Sequence, residues 1–113
     1  MSQITTHVLD TAKGLPAKGI PISLQRPIDD NQWEDIASGI TNSDGRVPNF
    51  LEDNFVLEPG TYRMLFNTKT YFEQSGTVGF YPEVPVIFEI NDTQHYHIPL
   101  LLSPFGYSTY RGS

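Results

Sequence analysis

The chain has 113 residues with 38% hydrophobic and 18% charged residues, a net charge of −6 and no cysteine. That is enough for one packed domain, residues 1–113, and too little to divide into two. The balance excludes a disordered or membrane-embedded chain. The scattered seven basic residues exclude a nucleic-acid surface, which needs clustered Lys and Arg. Without cysteine there is no disulfide framework, thiolate metal site or thiol nucleophile.

The N-terminus, MSQITTHVLD, has no basic segment leading into an apolar core. No secretory signal is read, and a cytoplasmic protein with no membrane partner is expected. Short extended runs separated by Gly, Pro, Asn and Asp then dominate. ITTHVLD alternates, KGLPAKG reads as a turn, and IPISLQR alternates again. WEDIASGIT is a third strand, closed by NSDGR, whose Asp44-Gly45 pair is a tight-turn signal. TYRMLFNT, VPVIFEI, HYHIPLLL and GYSTY complete the strands. Only LEDNF and KTYFEQS could be helical, and both are short. About seven or eight strands at this spacing predict an all-β fold, a two-sheet antiparallel β-sandwich with one short helix.

Strand parity separates the two faces of a sheet. Ile4, Thr6 and Val8 share one face of the first strand, with Thr5, His7 and Leu9 opposite. In the penultimate strand Tyr96, Ile98 and Leu100 oppose His95, His97 and Leu101. With the more apolar sets inside, His7 and His97 stand on an outer face near Leu9, Leu101 and Leu102. The run Leu100-Leu101-Leu102, apolar on both parities, predicts burial on both sides and hence a partner subunit or a ligand over the histidines.

Taken singly, these residues carry no chemistry. A lone strand histidine is usually structural, Arg46 after a DG turn is ordinarily solvated, and Trp33 reads as core or interface packing. His95 and His97, at i and i+2, place their rings about 7 Å apart on one face. With His7 they could form a three-His zinc site.

The segments THVLDTAKGLPAKGIPISL, NSDGRV, FYPEVPVIFEI and HYHIPLLLSPFGYSTYRGS follow in order across nearly the whole chain. In this the sequence resembles the transthyretin-like proteins, and among them the 5-hydroxyisourate hydrolases. Tyr110-Arg111-Gly112-Ser113 looks like the tetrapeptide that separates those hydrolases from transthyretin, the hormone carrier of the same fold. The resemblance implies a transthyretin-like sandwich that pairs into dimers, and a homotetramer made as a dimer of dimers with active sites at the dimer–dimer interface. It implies hydrolysis of 5-hydroxyisourate to 2-oxo-4-hydroxy-4-carboxy-5-ureidoimidazoline in urate degradation, without a cofactor. By residue, it implies catalytic roles for His7, Arg46 and His97, and substrate binding by His7, Arg46, Tyr110 and Ser113. His95 matches the less decisive member of the His-x-His pair. The substrate would be a small purine-derived ring.

These residue types suit that chemistry. Imidazole can take a proton from attacking water near neutral pH. A guanidinium can hold the charge developing on a carbonyl oxygen. A cation at Arg46 also disfavours a bound dication, so no metal is expected. The competing reading is a carrier of the same fold whose histidines only line a ligand channel.

Overall fold

The computed structural model describes residues 2–113. Its strands are β1 (Ile4–Asp10), β2 (Leu15–Pro16), β3 (Pro21–Asp29), β4 (Gln32–Ile40), β5 (Gly60–Phe66), β6 (Val84–Ile90), β7 (Tyr96–Ser103) and β8 (Gly106–Thr109). One helix, α1 (Thr68–Gln74), lies between β5 and β6. Two four-stranded sheets form, ordered β2-β1-β7-β8 and β4-β3-β5-β6. The expected all-β sandwich with one short helix is therefore what the chain forms. ITTHVLD and VPVIFEI coincide with β1 and β6. Among the described residues no helix is long and apolar enough to cross a membrane.

Of the ladders formed by these strands, only β1–β7 is parallel. It joins strands about ninety residues apart through a crossover that takes in the whole second sheet, as parallel neighbours cannot share a tight turn. Its register sets Thr5 opposite His97, His7 opposite Pro99 and Leu9 opposite Leu101.

The core lies between the sheets. Ile4, Val8, Leu100 and Leu102 from the first sheet, and Ile22, Leu24, Met64, Phe66 and Val84 from the second, are at most 1% exposed. β1 alternates strictly between buried and half-buried residues, with His7 on the outer set. Parity is confirmed for His7, His97, Leu9 and Leu101. Leu102 is corrected: it belongs with Leu100 on the inner face and is 1% exposed. It is two residues from Leu100, so the period of two that takes Leu101 outward returns Leu102 to the core.

Three further expectations change. The KGLPAKG segment holds more than a turn, since Leu15 and Pro16 pair with Asp10 and Leu9. LEDNF is not helical: the Leu51 N–H donates to Ser2 Oγ, and the segment turns through Phe55 N–H to Glu52 C=O. Trp33 is not in the core: it is partly exposed, with the Arg63 guanidinium 4.4 Å above its ring. KTYFEQS does form α1, begun by Asn67, whose side chain accepts the Thr70 N–H.

The helix is fixed to the first sheet by one polar contact. The buried Tyr71 hydroxyl donates to Asp10 Oδ2 at 2.6 Å, while Asp10 Oδ1 accepts the Lys13 N–H. Burial, then the hydrogen bond and charge of Asp10, push the Tyr71 phenol far above its ordinary range, so it stays a donor. Tyr71→Phe is expected to destabilise the protein by about 1–3 kcal/mol, because it leaves a buried carboxyl oxygen without its partner. Urea unfolding of the variant checks this, and an unchanged midpoint would refute it.

Candidate active site

Three backbone segments converge on the outer face of the first sheet. β1 supplies Thr5 and His7, and β7 supplies His97 beside them, both histidines half-buried. The NSDGR turn supplies Arg46. Asn42 organises that turn: its Oδ1 accepts the N–H groups of Asp44 and Arg46, and its own N–H donates to the Arg46 carbonyl. This is the local side-chain-to-backbone bonding that makes Asn a turn residue.

The turn then docks on β1. The Val8 N–H donates to the Gly45 carbonyl at 2.9 Å, and His7 and Arg46 form a β-bridge. Gly45 has φ +75°, and a Cβ there would lie 2.4 Å from the Val8 carbonyl oxygen and 3.2 Å from His7 Cδ2. Only glycine satisfies both the left-handed backbone and the close approach. The turn thus sets the guanidinium's attachment point beside His7.

The C-terminal tail closes the third side. β8 pairs with β7 from Ser103↔Gly106 to Leu100↔Thr109, and the same register resumes at His97↔Gly112. The ladder breaks opposite Pro99, which has no N–H to donate. There the Thr109 hydroxyl donates to the Pro99 carbonyl at 2.7 Å. Beyond the gap, the Gly112 N–H donates to the His97 carbonyl at 2.9 Å. A Cβ on Gly112 would lie 2.5 Å from His97 Cδ2, so glycine is needed for the tail to pass against the ring.

Tyr110 falls opposite Pro99 in the continued register and is 59% exposed. The Arg111 guanidinium lies 4.3 Å from the Tyr96 ring. Ser113 is exposed and follows directly on the Gly112 bridge. The structure therefore gathers His7, Arg46 and His97, and leaves Tyr110 and Ser113 exposed on the tail that runs past His97.

The electrostatics favour neutral imidazoles. Burial first, then the Arg46 guanidinium, hold His7 below its ordinary value, against a hydrogen bond to the Asp44 backbone and the Asp44 charge. Burial first, then Arg46, His95 and His7, hold His97 down, opposed by a hydrogen bond to the Thr5 backbone. A neutral imidazole keeps one lone pair free to accept a proton.

Residue-type reasoning passed over Thr5 and Asn42. Thr5 Oγ1 lies 2.8 Å from His95 Nε2 and 2.7 Å from His97 Nδ1, between rings 6.4 Å apart at 20°. The outer-face parity of Thr5 was the available signal. Among the described residues no three His, Cys, Asp or Glu side chains are grouped so as to hold a metal ion. A groove of about 380 Å³ opens along Thr5, Asn42, Arg46 and Val47. A second of about 170 Å³ lies among Val86, Phe88, Tyr96, Ile98 and Arg111 and touches His97 and Tyr110. Both are open to the outside.

Residues 4–112 match the model of the HIUase/Transthyretin family. The chain belongs to that family. It is 48% identical to the 5-hydroxyisourate hydrolase of Mus musculus over 99% of this chain and 96% of that protein. The structure of the Klebsiella pneumoniae 5-hydroxyisourate hydrolase superposes with a TM-score of 0.84 at 34% identity, covering 97% of this chain and 92% of that one. Sea bream transthyretin in complex with thyroxine superposes with a TM-score of 0.87 at 32% identity, covering 98% and 95%. The fold thus occurs both in a protein named a hydrolase and in a transthyretin bound to thyroxine, so function has to be argued from the site.

Arg46 accounts for part of the depression of both histidines. Arg46→Gln removes a positive charge that disfavours imidazolium, so the titration midpoints of His7 and His97 are expected to rise. Following the ring protons of both residues by NMR against pH measures this directly. Unmoved midpoints would take Arg46 out of the electrostatics of the site.

Proposed function

We propose that the protein hydrolyses 5-hydroxyisourate, opening a ring amide of this purine-derived substrate in urate degradation. The observation that carries the reading is the placement of two imidazoles, both held below their ordinary pKa, beside one guanidinium on an outer sheet face. The curated relatives named for this reaction match nearly the whole chain.

His7 and His97 supply proton acceptors for the attacking water, since each is neutral at physiological pH. Arg46 supplies directed donors to the substrate oxygens and to the oxyanion that forms at the attacked carbonyl. The hydroxyl of Tyr110 suits a polar ring edge and its ring an apolar face. Ser113 adds a hydroxyl and stands beside the Gly112 bridge. The proton taken from water returns to the departing ring nitrogen, so the imidazole is restored after each turnover.

We further propose a homotetramer in which the His-bearing faces of two dimers meet over the sites. Two features support this: the groove along Thr5 and Arg46 is open, and half-buried Leu9 and Leu101 lie on the same outer face as the histidines. The edges of β6 and β8 are uncovered within the chain. Exposed Phe80, Tyr81 and Tyr107 form a row of edge-to-face rings beside them. Uncovered strand edges flanked by aromatic side chains suit two-fold pairing.

The decisive experiment generates hydroxyisourate with urate oxidase and follows its ultraviolet decay with and without the protein. His7→Ala and His97→Ala are each expected to lower turnover on the order of 10²-fold or more. Arg46→Ala should cost roughly 2.7–4 kcal/mol in transition-state stabilisation, with little rescue by Arg46→Lys, whose point charge lacks two fixed donors. Deleting residues 110–113 should leave a folded protein with almost no hydrolysis. Substrate binding with no acceleration by the wild type would establish the carrier reading instead. Sedimentation at micromolar concentration is expected to show a tetramer; a fully active monomer would refute the shared-interface site.

A further inference from the structure

We propose that Thr5 is a positioning residue for this hydrolysis, its hydroxyl holding His97 in the tautomer protonated on Nδ1 and leaving Nε2 as the lone pair that receives the proton of water. The inference rests on the hydrolase reading for the choice of tautomer and on geometry for the bridge.

Thr5 Oγ1 is 2.7 Å from His97 Nδ1 and 2.8 Å from His95 Nε2. A hydroxyl has one hydrogen, so it can donate to only one of two rings and must accept from the other. Two arrangements satisfy that rule, in mirror order along the chain of three groups. The hydrolase reading selects one of them: with Nδ1 engaged by Thr5, Nε2 is the nitrogen left to receive the proton of water, so Nε2 must be the unprotonated one. His97 Nδ1 then carries the hydrogen. The Thr5 O–H must then turn to His95 Nε2, and His95 keeps its own hydrogen on Nδ1. With Nδ1 engaged, Nε2 is the one nitrogen of His97 left for water or substrate.

The fold makes this bridge stiff. Thr5 is directly opposite His97 in the parallel β1–β7 register, and a β-branched side chain on a strand has little χ1 freedom. The remaining titratable and charged groups facing His97 are His95, His7 and Arg46. None of them supplies a second fixed acceptor at Nδ1, since His95 meets the ring by stacking and Arg46 is a donor only.

The test uses the full chain labelled with ¹⁵N, observed at a pH where both rings are neutral. Wild-type His97 is expected to show a protonated Nδ1 and an unprotonated Nε2. Thr5→Val keeps the side-chain shape without the hydroxyl, and its His97 nitrogens should move toward the average of the two tautomers. Loss of a group that fixes a catalytic imidazole tautomer can lower kcat by about 10⁴ when that group is charged. For this neutral hydroxyl a fall on the order of 10- to 100-fold is expected, the range typical of groups that orient a functional histidine. KM should change little, and Thr5→Ser should restore most of kcat.

A wild-type His97 protonated on Nε2 would overturn the proposal, whether or not Thr5→Val folds. A folded Thr5→Val with wild-type kcat would overturn it as well. The nitrogen spectra need no turnover: a locked wild-type tautomer that Thr5→Val releases supports the positioning role even if hydroxyisourate is not consumed. That last result would remove the hydrolase reading alone.

Discussion

The parallel pairing of β1 with β7 is the constraint on which the site depends. It brings Thr5 against His97 and places His7 one step along the same outer face, although these residues are about ninety positions apart in sequence. Closing so long a loop costs conformational entropy before any contact rewards it. The return comes from the inner face of the same two strands, where Ile4, Val8, Leu100 and Leu102 are sealed in the core. One set of alternate residues therefore stabilises the pairing, and the other set presents the histidines. A one-residue slip would exchange the two sets, so the core itself fixes the position of the histidines.

Everything else at the site is attached to these two strands by backbone contacts at glycines. Gly45 lets the Arg46 turn sit on the β1 edge, and Gly112 lets the tail lie against the His97 ring. Both attachments are made by main-chain hydrogen bonds, from Val8 to Gly45 and from Gly112 to His97. Side chains at the site are thus placed by rigid strands and short tethers, which leaves little for loop motion to disturb. Pro99 adds to this by interrupting the β7–β8 ladder without shifting its register, so that Gly112 still meets His97 and Arg111 packs on Tyr96.

The same arrangement leaves the outer face free to vary. The sandwich core makes no demand on the outer face of the first sheet, so residues there can change without loss of the fold. On this chain that face carries the cation at Arg46 set among partly desolvated imidazoles. Burial alone would depress a histidine, but the neighbouring guanidinium favours the neutral ring further.

The sequence by itself determined the class of the fold, most of the strands and the face on which His7 and His97 stand. Alternation is a local property with a period of two, so it can be read wherever a strand is half-buried. It also marked Asp44-Gly45 as a turn, because few dipeptides tolerate that backbone. Motif resemblance gathered His7, Arg46, His97, Tyr110 and Ser113, though not the distances among them. Only the tertiary structure decided that β1 and β7 run parallel, that Leu102 turns inward, that Arg111 packs on Tyr96, and that the Thr5 hydroxyl bridges two imidazoles. These follow from register and from contacts across about ninety residues of chain. No local pattern encodes which residue will stand opposite which, because that choice is made by packing of the whole core.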